Sequence, residues 1–333
     1  MHPAIRVAPT LGARTRGSGQ RWCMRIGGVN AGIRATIHNQ SLPNVLRALN
    51  ERVFQVERAG ALAPTPQPED GAFDPLADIM SEIADRTERC YPMTLREFAE
   101  SYHGMRRKRW EAAVTSLEQK GWDNGDSKIK GFVKADFTNF DAKPDPAPRW
   151  ISPRDPRYGA SLGRYLKRLE HLIFRSIDRL YQPHRGAKRY QTVCKGLNAK
   201  DLATNLRGLF DSFSDTVAIG LDASRFDQHI SADALRAEHL VYIAYARKHW
   251  SPAECRDLER LLACQLMTHG SCMVQGHRVK YSIAGGRCSG DMNTSLGNCI
   301  LMCAMVKSLL EELGIEARLA NNGDDCVVFM ERA

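Results

Sequence analysis

Long apolar runs, paired cysteines and acid near the start are all scarce in this sequence. The longest apolar stretch, 299–306, continues into Lys307 and falls short of the roughly 18 residues a membrane span needs. No membrane anchor is therefore expected in this chain. None of the ten cysteines forms a CxxC pair or a regular framework. They lie mostly among apolar neighbours, as at Cys299 and Cys303, and read as reduced core thiols of an intracellular protein. His269 and Cys272 have ligand-like spacing but lack a second pair, which argues against a structural zinc site. No internal repeat or low-complexity tract is visible.

The first acidic residue is Glu51, and seven arginines precede it. That start reads as a basic arm joining a nucleic-acid surface; a transit peptide is the alternative. The chain of 333 residues carries 47 Lys and Arg against 38 Asp and Glu, a net of +9. The surplus is local: residues 128–200 hold 17 Lys and Arg against 6 Asp and Glu, so the remainder nets −2. A concentrated surplus suits a phosphate-binding channel, because each phosphate contacted releases counterions. A solvated helical face would carry the same charge.

Hydrophobic spacing predicts a helix over 42–56, with Val45, Leu46, Leu49 and Val53 on one face. Four prolines make 63–75 a linker or extended loop. Thr94 and Glu97 form a capping-box pattern opening a helix towards Leu117, interrupted at Gly104. A short strand is expected over 130–135, and five prolines keep 143–156 extended. Helices follow over 162–181 and 195–213. The last third alternates: a buried strand 217–221 ending at Asp222, a helix from the Ser231 cap to about His249, and a hairpin around Gln275-Gly276. A Gly-rich loop, 284–290, then leads into a helix that Gly314 ends.

Three segments carry chemistry. The first is a hairpin built around Asn322-Gly323, followed at once by Asp324 and Asp325. Adjacent acids at a strand edge repel each other, and a divalent metal relieves that repulsion. The second is Asp222-Ala223-Ser224-Arg225-Phe226-Asp227, where Asp222 ends an apolar strand. Alone it reads as a cap; facing Asp324 across a sheet, it completes a carboxylate pair able to hold two Mg²⁺ ions about 4 Å apart. The third is Ser289-Gly290-Asp291-Met292-Asn293-Thr294-Ser295-Leu296-Gly297-Asn298. Its small residues permit close backbone approach to a ligand, and Thr294 and Asn298 share a helix face.

The ordered set Asp222-x4-Asp227, Ser289-Gly290-x3-Thr294-x3-Asn298 and Gly323-Asp324-Asp325 resembles motifs A, B and C of positive-strand RNA virus polymerases. The wording of the first two motifs, with Gln228-His229 and Met292-Asn293-Thr294-Ser295, is similar to the tombusvirus-like group of RNA-dependent RNA polymerases. So is Lys143-Pro144-Asp145-Pro146-Ala147-Pro148-Arg149, followed by Pro153-Arg154 and Tyr158, which resembles motif F of the fingers, with Phe132-Val133-Lys134 as its leading part.

The resemblance implies an α+β, right-hand polymerase fold with fingers and palm and the thumb missing. Residues 1–215 would be the N-terminal region and fingers, with motif F at about 130–158. Palm would follow at 216–235 (motif A) and 285–333 (motifs B and C), around a fingers insertion at 236–284. Asp222 and Asp324 would ligate catalytic Mg²⁺, with Asp325 supporting and Mn²⁺ able to substitute. Asp227 and Asn298 would read the ribose 2′-hydroxyl, with Thr294 placing that network. Ser289 and Gly290 would form a flexible loop beside the nascent base pair. Lys134, Lys143, Arg149 and Arg154 would line the nucleotide channel and hold the triphosphate; Arg forks suit phosphate oxygens in any case.

The partners implied are an RNA template, nascent RNA, rNTPs and other viral replication proteins, in a membrane-associated replication complex of the host cytoplasm. The chain stops at Ala333, eight residues after Asp325, before the later palm motifs and thumb of such enzymes. The expectation is an incomplete fragment with little activity of its own. A reverse transcriptase is the rival enzyme, disfavoured because it places bulk where Asp227 stands. A non-catalytic RNA-binding scaffold is the rival from another class, disfavoured by the intact carboxylates.

Overall fold

The computed structural model describes residues 1–10, 21, 35–182 and 190–332. Most of the Arg-rich arm read from the sequence lies outside the described residues. The first strands and helix are β1 (Ile5–Pro9), β2 (Ala35–Ile37) and α1 (Leu42–Leu49). Ser41 caps α1 through the Asn44 amide, and Pro43 sits in the first turn, where its missing N–H costs nothing. The helix expected over 42–56 is shorter than its spacing suggests. Regular α geometry ends at Leu49, a widened turn spans Asn50–Phe54, and the chain is extended from Gln55. A hairpin follows, β3 (Gln55–Arg58) with β4 (Ala61–Pro64), before α2 (Ala77–Arg86).

The Thr94–Glu97 capping box is present and opens α3 (Leu95–Glu100); Gly104, at φ +58°, starts a separate α4 (Gly104–Lys120). The expected 130–135 strand divides into β5 (Ile129–Lys130) and β6 (Phe132–Val133). After β7 (Phe137–Asn139) the chain turns over 140–142 and bends over 143–145, so the proline-rich stretch expected to be extended is so only from 146, leading into β8 (Trp150–Ile151) and then α5 (Pro156–Leu180). Next come α6 (Ala199–Phe210), β9 (Thr216–Asp222), the single turn α7 (Phe226–His229), α8 (Ala232–His249) and α9 (Pro252–Leu266). The chain then forms β10 (Met267–Val274), β11 (His277–Ala284), α10 (Thr294–Glu312), β12 (Ala317–Asn322) and β13 (Asp325–Glu331).

Two sheets organise this α+β chain. One has the order β1-β11-β10-β5, closes over α1, and owns a core of Ile5, Val45, Leu49, Ile129, Val133 and Val279. The other has the order β12-β13-β9 and is antiparallel throughout. Leu319, Cys326 and Val328 face the main helical core of α2, α5, α8, α9 and α10, while Ala320 and Phe329 face α6 through Leu209. This alternation is the period-2 signature of a sheet covered on both sides.

The strand expected to be buried at 217–221 is not. β9 is an edge strand, with Ala218, Ile219 and Gly220 exposed. Its apolar run is a property of the sequence; cover depends on what packs against it, and α6 reaches only part of its length.

Candidate active site

The β13–β9 register sets Asp325 directly opposite Asp222, so their Cβ atoms are about 5 Å apart. The hairpin loop is Gly323-Asp324 rather than Asn322-Gly323, because Asn322 pairs with Asp325. Gly323 has φ +93°, the left-handed region that an L side chain avoids at the first position of a two-residue hairpin loop. Asp324 therefore occupies the loop itself, one residue from the Asp222–Asp325 pair. The loop is braced by the Asn321 side chain, whose Nδ2 donates to the Gly323 carbonyl at 2.7 Å and whose Oδ1 accepts from the Gly323 amide at 3.0 Å.

Behind the loop, the Thr192 and Cys194 backbone bonds to Asn321 on both sides, at 2.7 and 2.8 Å. Asp178 of α5 holds that segment by accepting from the Thr192 and Val193 amides at 2.7 and 3.1 Å. Lys195, unremarked in the sequence, reaches the same hairpin and donates to the Asn322 carbonyl at 3.1 Å.

Among the described residues, no hydrogen bond or ion pair engages the side chains of Asp222, Asp324 or Asp325. Three carboxylates thus stand at one sheet end with no direct ion pair among the described residues, the nearby Lys195 being spent on the Asn322 carbonyl, and Asp222 and Asp325 are exposed. No three His, Cys, Asp or Glu side chains among the described residues converge enough to hold an ion alone. The donor set fits Mg²⁺ nonetheless, since that ion is commonly held by one or two carboxylates, with substrate phosphates and water supplying the rest.

Past β9 the chain turns sharply at Arg225 (φ +53°, ψ +45°), and α7 presents Asp227. Burial pushes the Asp227 carboxyl up from the usual carboxylate range; Asn298 and Arg287 oppose the rise, and the charge of Asp324 adds to it. Asn298 Nδ2 donates to Asp227 Oδ1 at 2.8 Å, so the two residues expected to read a ribose are joined directly. Thr294, one turn earlier, does not touch Asp227; its hydroxyl donates to the carbonyls of Cys288 and Asp291 at 2.7 and 3.0 Å and closes the preceding loop.

That loop is docked on the proline-rich segment. Ser289 Oγ accepts from the Ser152 amide at 3.2 Å, and a Cβ on Gly290 would lie 2.6 Å from Pro153 Cα. Close approach therefore demands glycine there.

The expected cationic channel is only partly assembled. Lys134 and Arg149 both reach Asp136, at 3.2 and 3.3 Å, and Lys143 is exposed. Arg154 departs from expectation. Its guanidinium is 2% exposed, pairs with Asp291 at 2.5 Å, and donates to the Ser127 carbonyl at 2.6 Å, leaving it no face for a triphosphate. Burial works against its charge, and Asp291 more than restores it. Two arginines outside the expected set, Arg52 and Arg225, lie close by. Arg52 loses proton affinity first through burial and then through the like charges of Arg225 and Arg149. It lines one pocket with Ser152, Asp227, Arg287 and Ser289. Nothing in the helical spacing around Arg52 signals this; Arg225 was visible inside motif A but had no assigned role.

The site thus combines a carboxylate pair across an antiparallel ladder, a hydrogen-bonded Asp–Asn pair and a cluster of like-charged arginines. The chain belongs to the viral RNA dependent RNA polymerase family, whose profile matches residues 10–333. The family read from the motifs is thereby borne out. It is 41% identical over 311 residues to the RNA-directed RNA polymerase of Tobacco necrosis virus (strain D), covering 93% of this chain and 41% of that protein. It is 40% identical over 331 residues to that of Turnip crinkle virus, covering 99% of this chain and 40% of the relative. For Melon necrotic spot virus the figures are 41% over 310 residues, 92% and 37%. The chain thus spans about two fifths of the length of the curated relatives it matches.

Proposed function

We propose that this chain supplies the fingers and the catalytic part of the palm of an RNA-directed RNA polymerase, which extends RNA from rNTPs on an RNA template and releases pyrophosphate. The observation that carries this is the register of β13 on β9, which sets Asp325 opposite Asp222 with Asp324 in the adjoining loop, none of the three in an ion pair among the described residues. Unpaired acids so close together cost stability unless a bound cation offsets them.

In this reading the β9–β12–β13 sheet belongs to the palm, and the β1–β11–β10–β5 sheet to the fingers. Asp222 and Asp324, supported by Asp325, bind divalent metal: Mg²⁺, with Mn²⁺ as a substitute. When bound, that metal supplies Lewis acidity to the attacking 3′-hydroxyl and the leaving pyrophosphate. The chain's own groups do the positioning. Arg149, Lys143 and Lys134, with Arg52 and Arg225, hold the triphosphate in the charged cleft. Asp227 and Asn298 recognise the 2′-hydroxyl, which favours ribonucleotides. Other viral replication proteins and a membrane-associated replication complex in the host cytoplasm complete the proposal. No helix among the described residues is long and apolar enough to cross a membrane.

The test uses the full-length protein that carries this sequence. Asp324→Asn should lower template-dependent RNA synthesis at least about 100-fold while leaving RNA binding intact. Synthesis that survives the substitution would sink the assignment. RNA binding with no divalent-ion effect on nucleotide affinity would favour the scaffold reading.

A further inference from the structure

Behind the Asp227–Asn298 pair lies a buried polar network in which Asn293 alone, besides Asn298, belongs to the motifs read from the sequence. Arg287, in the loop before α10, is fully buried and donates from Nε to Asn298 Oδ1 at 3.0 Å. Its Nη2 pairs with Glu238 of α8, and both side chains are 0% exposed. Glu238 Oε1 also accepts from the Tyr242 hydroxyl and from Asn293 Nδ2, each at 2.7 Å. Asn293 Oδ1 accepts from Gln265 Nε2 of α9 at 2.8 Å, and Gln265 Oε1 faces His239 Nε2 at 3.0 Å. The network therefore crosses α8, α9, the loop and α10.

The chemistry at Asn298 gives the network a direction. A guanidinium only donates and an ionised carboxylate only accepts. An amide held between Arg287 and Asp227 can point only one way, oxygen to the arginine and nitrogen to the aspartate. Glu238 in turn fixes Arg287, because a buried guanidinium needs its counter-ion. A second observation supports a built arrangement. A Cβ on Gly297 would fall 2.3 Å from Glu238 Oε1, so the glycine next to Asn298 makes room for this carboxylate. Finally, Arg287 Nη1 is buried with no hydrogen-bond partner among the described residues, and Arg287 lines the same pocket as Asp227 and Ser289.

We infer that Glu238 and Arg287 are positioning residues for sugar selection: they orient the Asn298 amide, and through it Asp227, toward the 2′-hydroxyl of the incoming nucleotide. The inference rests on the polymerase reading above. Asp227 and Asn298 carry the contact; Glu238 and Arg287 hold them in the one orientation that can make it. A purely structural role would depress the use of both nucleotide types alike, whereas a positioning role acts on the ribose alone.

The experiment compares rNTP and 2′-dNTP incorporation by the full-length protein, as kcat/KM on one RNA template, with melting temperatures alongside. Glu238→Gln keeps the shape but removes the charge. It should cut rNTP-over-dNTP selectivity about tenfold or more, through a higher KM for rNTPs with dNTP efficiency unchanged. If that variant does not fold, Tyr242→Phe removes one hydrogen bond to Glu238 and should lower selectivity about two- to threefold. A folded variant with full selectivity, or an equal loss for both sugars, overturns the positioning role. No template-dependent synthesis by the unmutated protein would instead fail the polymerase reading.

Discussion

Two regions of this molecule treat charge in opposite ways. At the open end of the β9–β12–β13 sheet, Asp222, Asp324 and Asp325 stand together with no side-chain hydrogen bond or ion pair among the described residues. Deeper in the molecule two ion pairs are matched and buried: Glu238 with Arg287 and Arg154 with Asp291. The second arrangement is what a fold needs in order to bury ions at all, because an unpaired buried charge costs several kcal/mol. The first is what a fold tolerates only at an exposed edge, where water screens the repulsion. The contrast teaches that burial demands a paired charge, whereas an open sheet end tolerates unpaired ones.

The comparison breaks most visibly at Arg154. Arg154→Leu leaves Asp291 buried and alone, and should cost about 3–5 kcal/mol in urea unfolding. A loss under about 1 kcal/mol would mean that the pair is not a structural tie between the proline-rich segment and the loop before α10.

A middle-sized effect is expected at Asp178, which braces the acidic hairpin from behind. Burial pushes its carboxyl up to about 6 from an ordinary 3.8, against the two backbone amides it accepts from. Between about pH 4 and pH 6 the folded chain keeps a proton that the unfolded chain has released, so stability falls as pH rises across that window and levels off above it. The fall should be roughly 2–3 kcal/mol, and Asp178→Asn should flatten it. Urea midpoints at pH 4, 5 and 6.5 measure the slope; an unchanged slope in the variant would assign it elsewhere.

The smallest effect lies at the open end. Asp222→Asn removes one of two like charges facing each other across the ladder, and should raise stability by roughly 0.5 kcal/mol in metal-free buffer. A destabilised variant would show that these carboxylates serve the fold, and the contrast between the regions would fail.

Much of the site could be read directly. Asp222, Asp227, Asn298, Asp324 and Asp325 sit at strand ends and helix starts whose patterns are local: an apolar run ending in acid, a small-residue loop before a helix, a glycine loop between short strands. The Thr94–Glu97 capping box and the Gln275-Gly276 hairpin were legible for the same reason. What was not legible depended on distant cover. The apolar strand 217–221 gave no sign that it would be an edge, and Arg154 looked like its cationic neighbours because burial by α9 and the β10–β11 hairpin is invisible in a linear run. Arg52 lies 97 residues from Arg149 and 173 from Arg225 in the chain, and only folding brings their fields together. Glu238 and Arg287 carry no sequence signature, because an ion pair between separate elements leaves no spacing to count.

By itself, then, the sequence determined which residue types stand at each turn and strand end, because backbone preference and hydrophobic period act over a few residues. Only the tertiary structure decided which charges would be buried and paired and which would face an open cleft. That choice is made by desolvation and Coulomb terms between groups tens to hundreds of residues apart, and it separates the buried, paired Arg154 from the like-charged Arg52, Arg149 and Arg225.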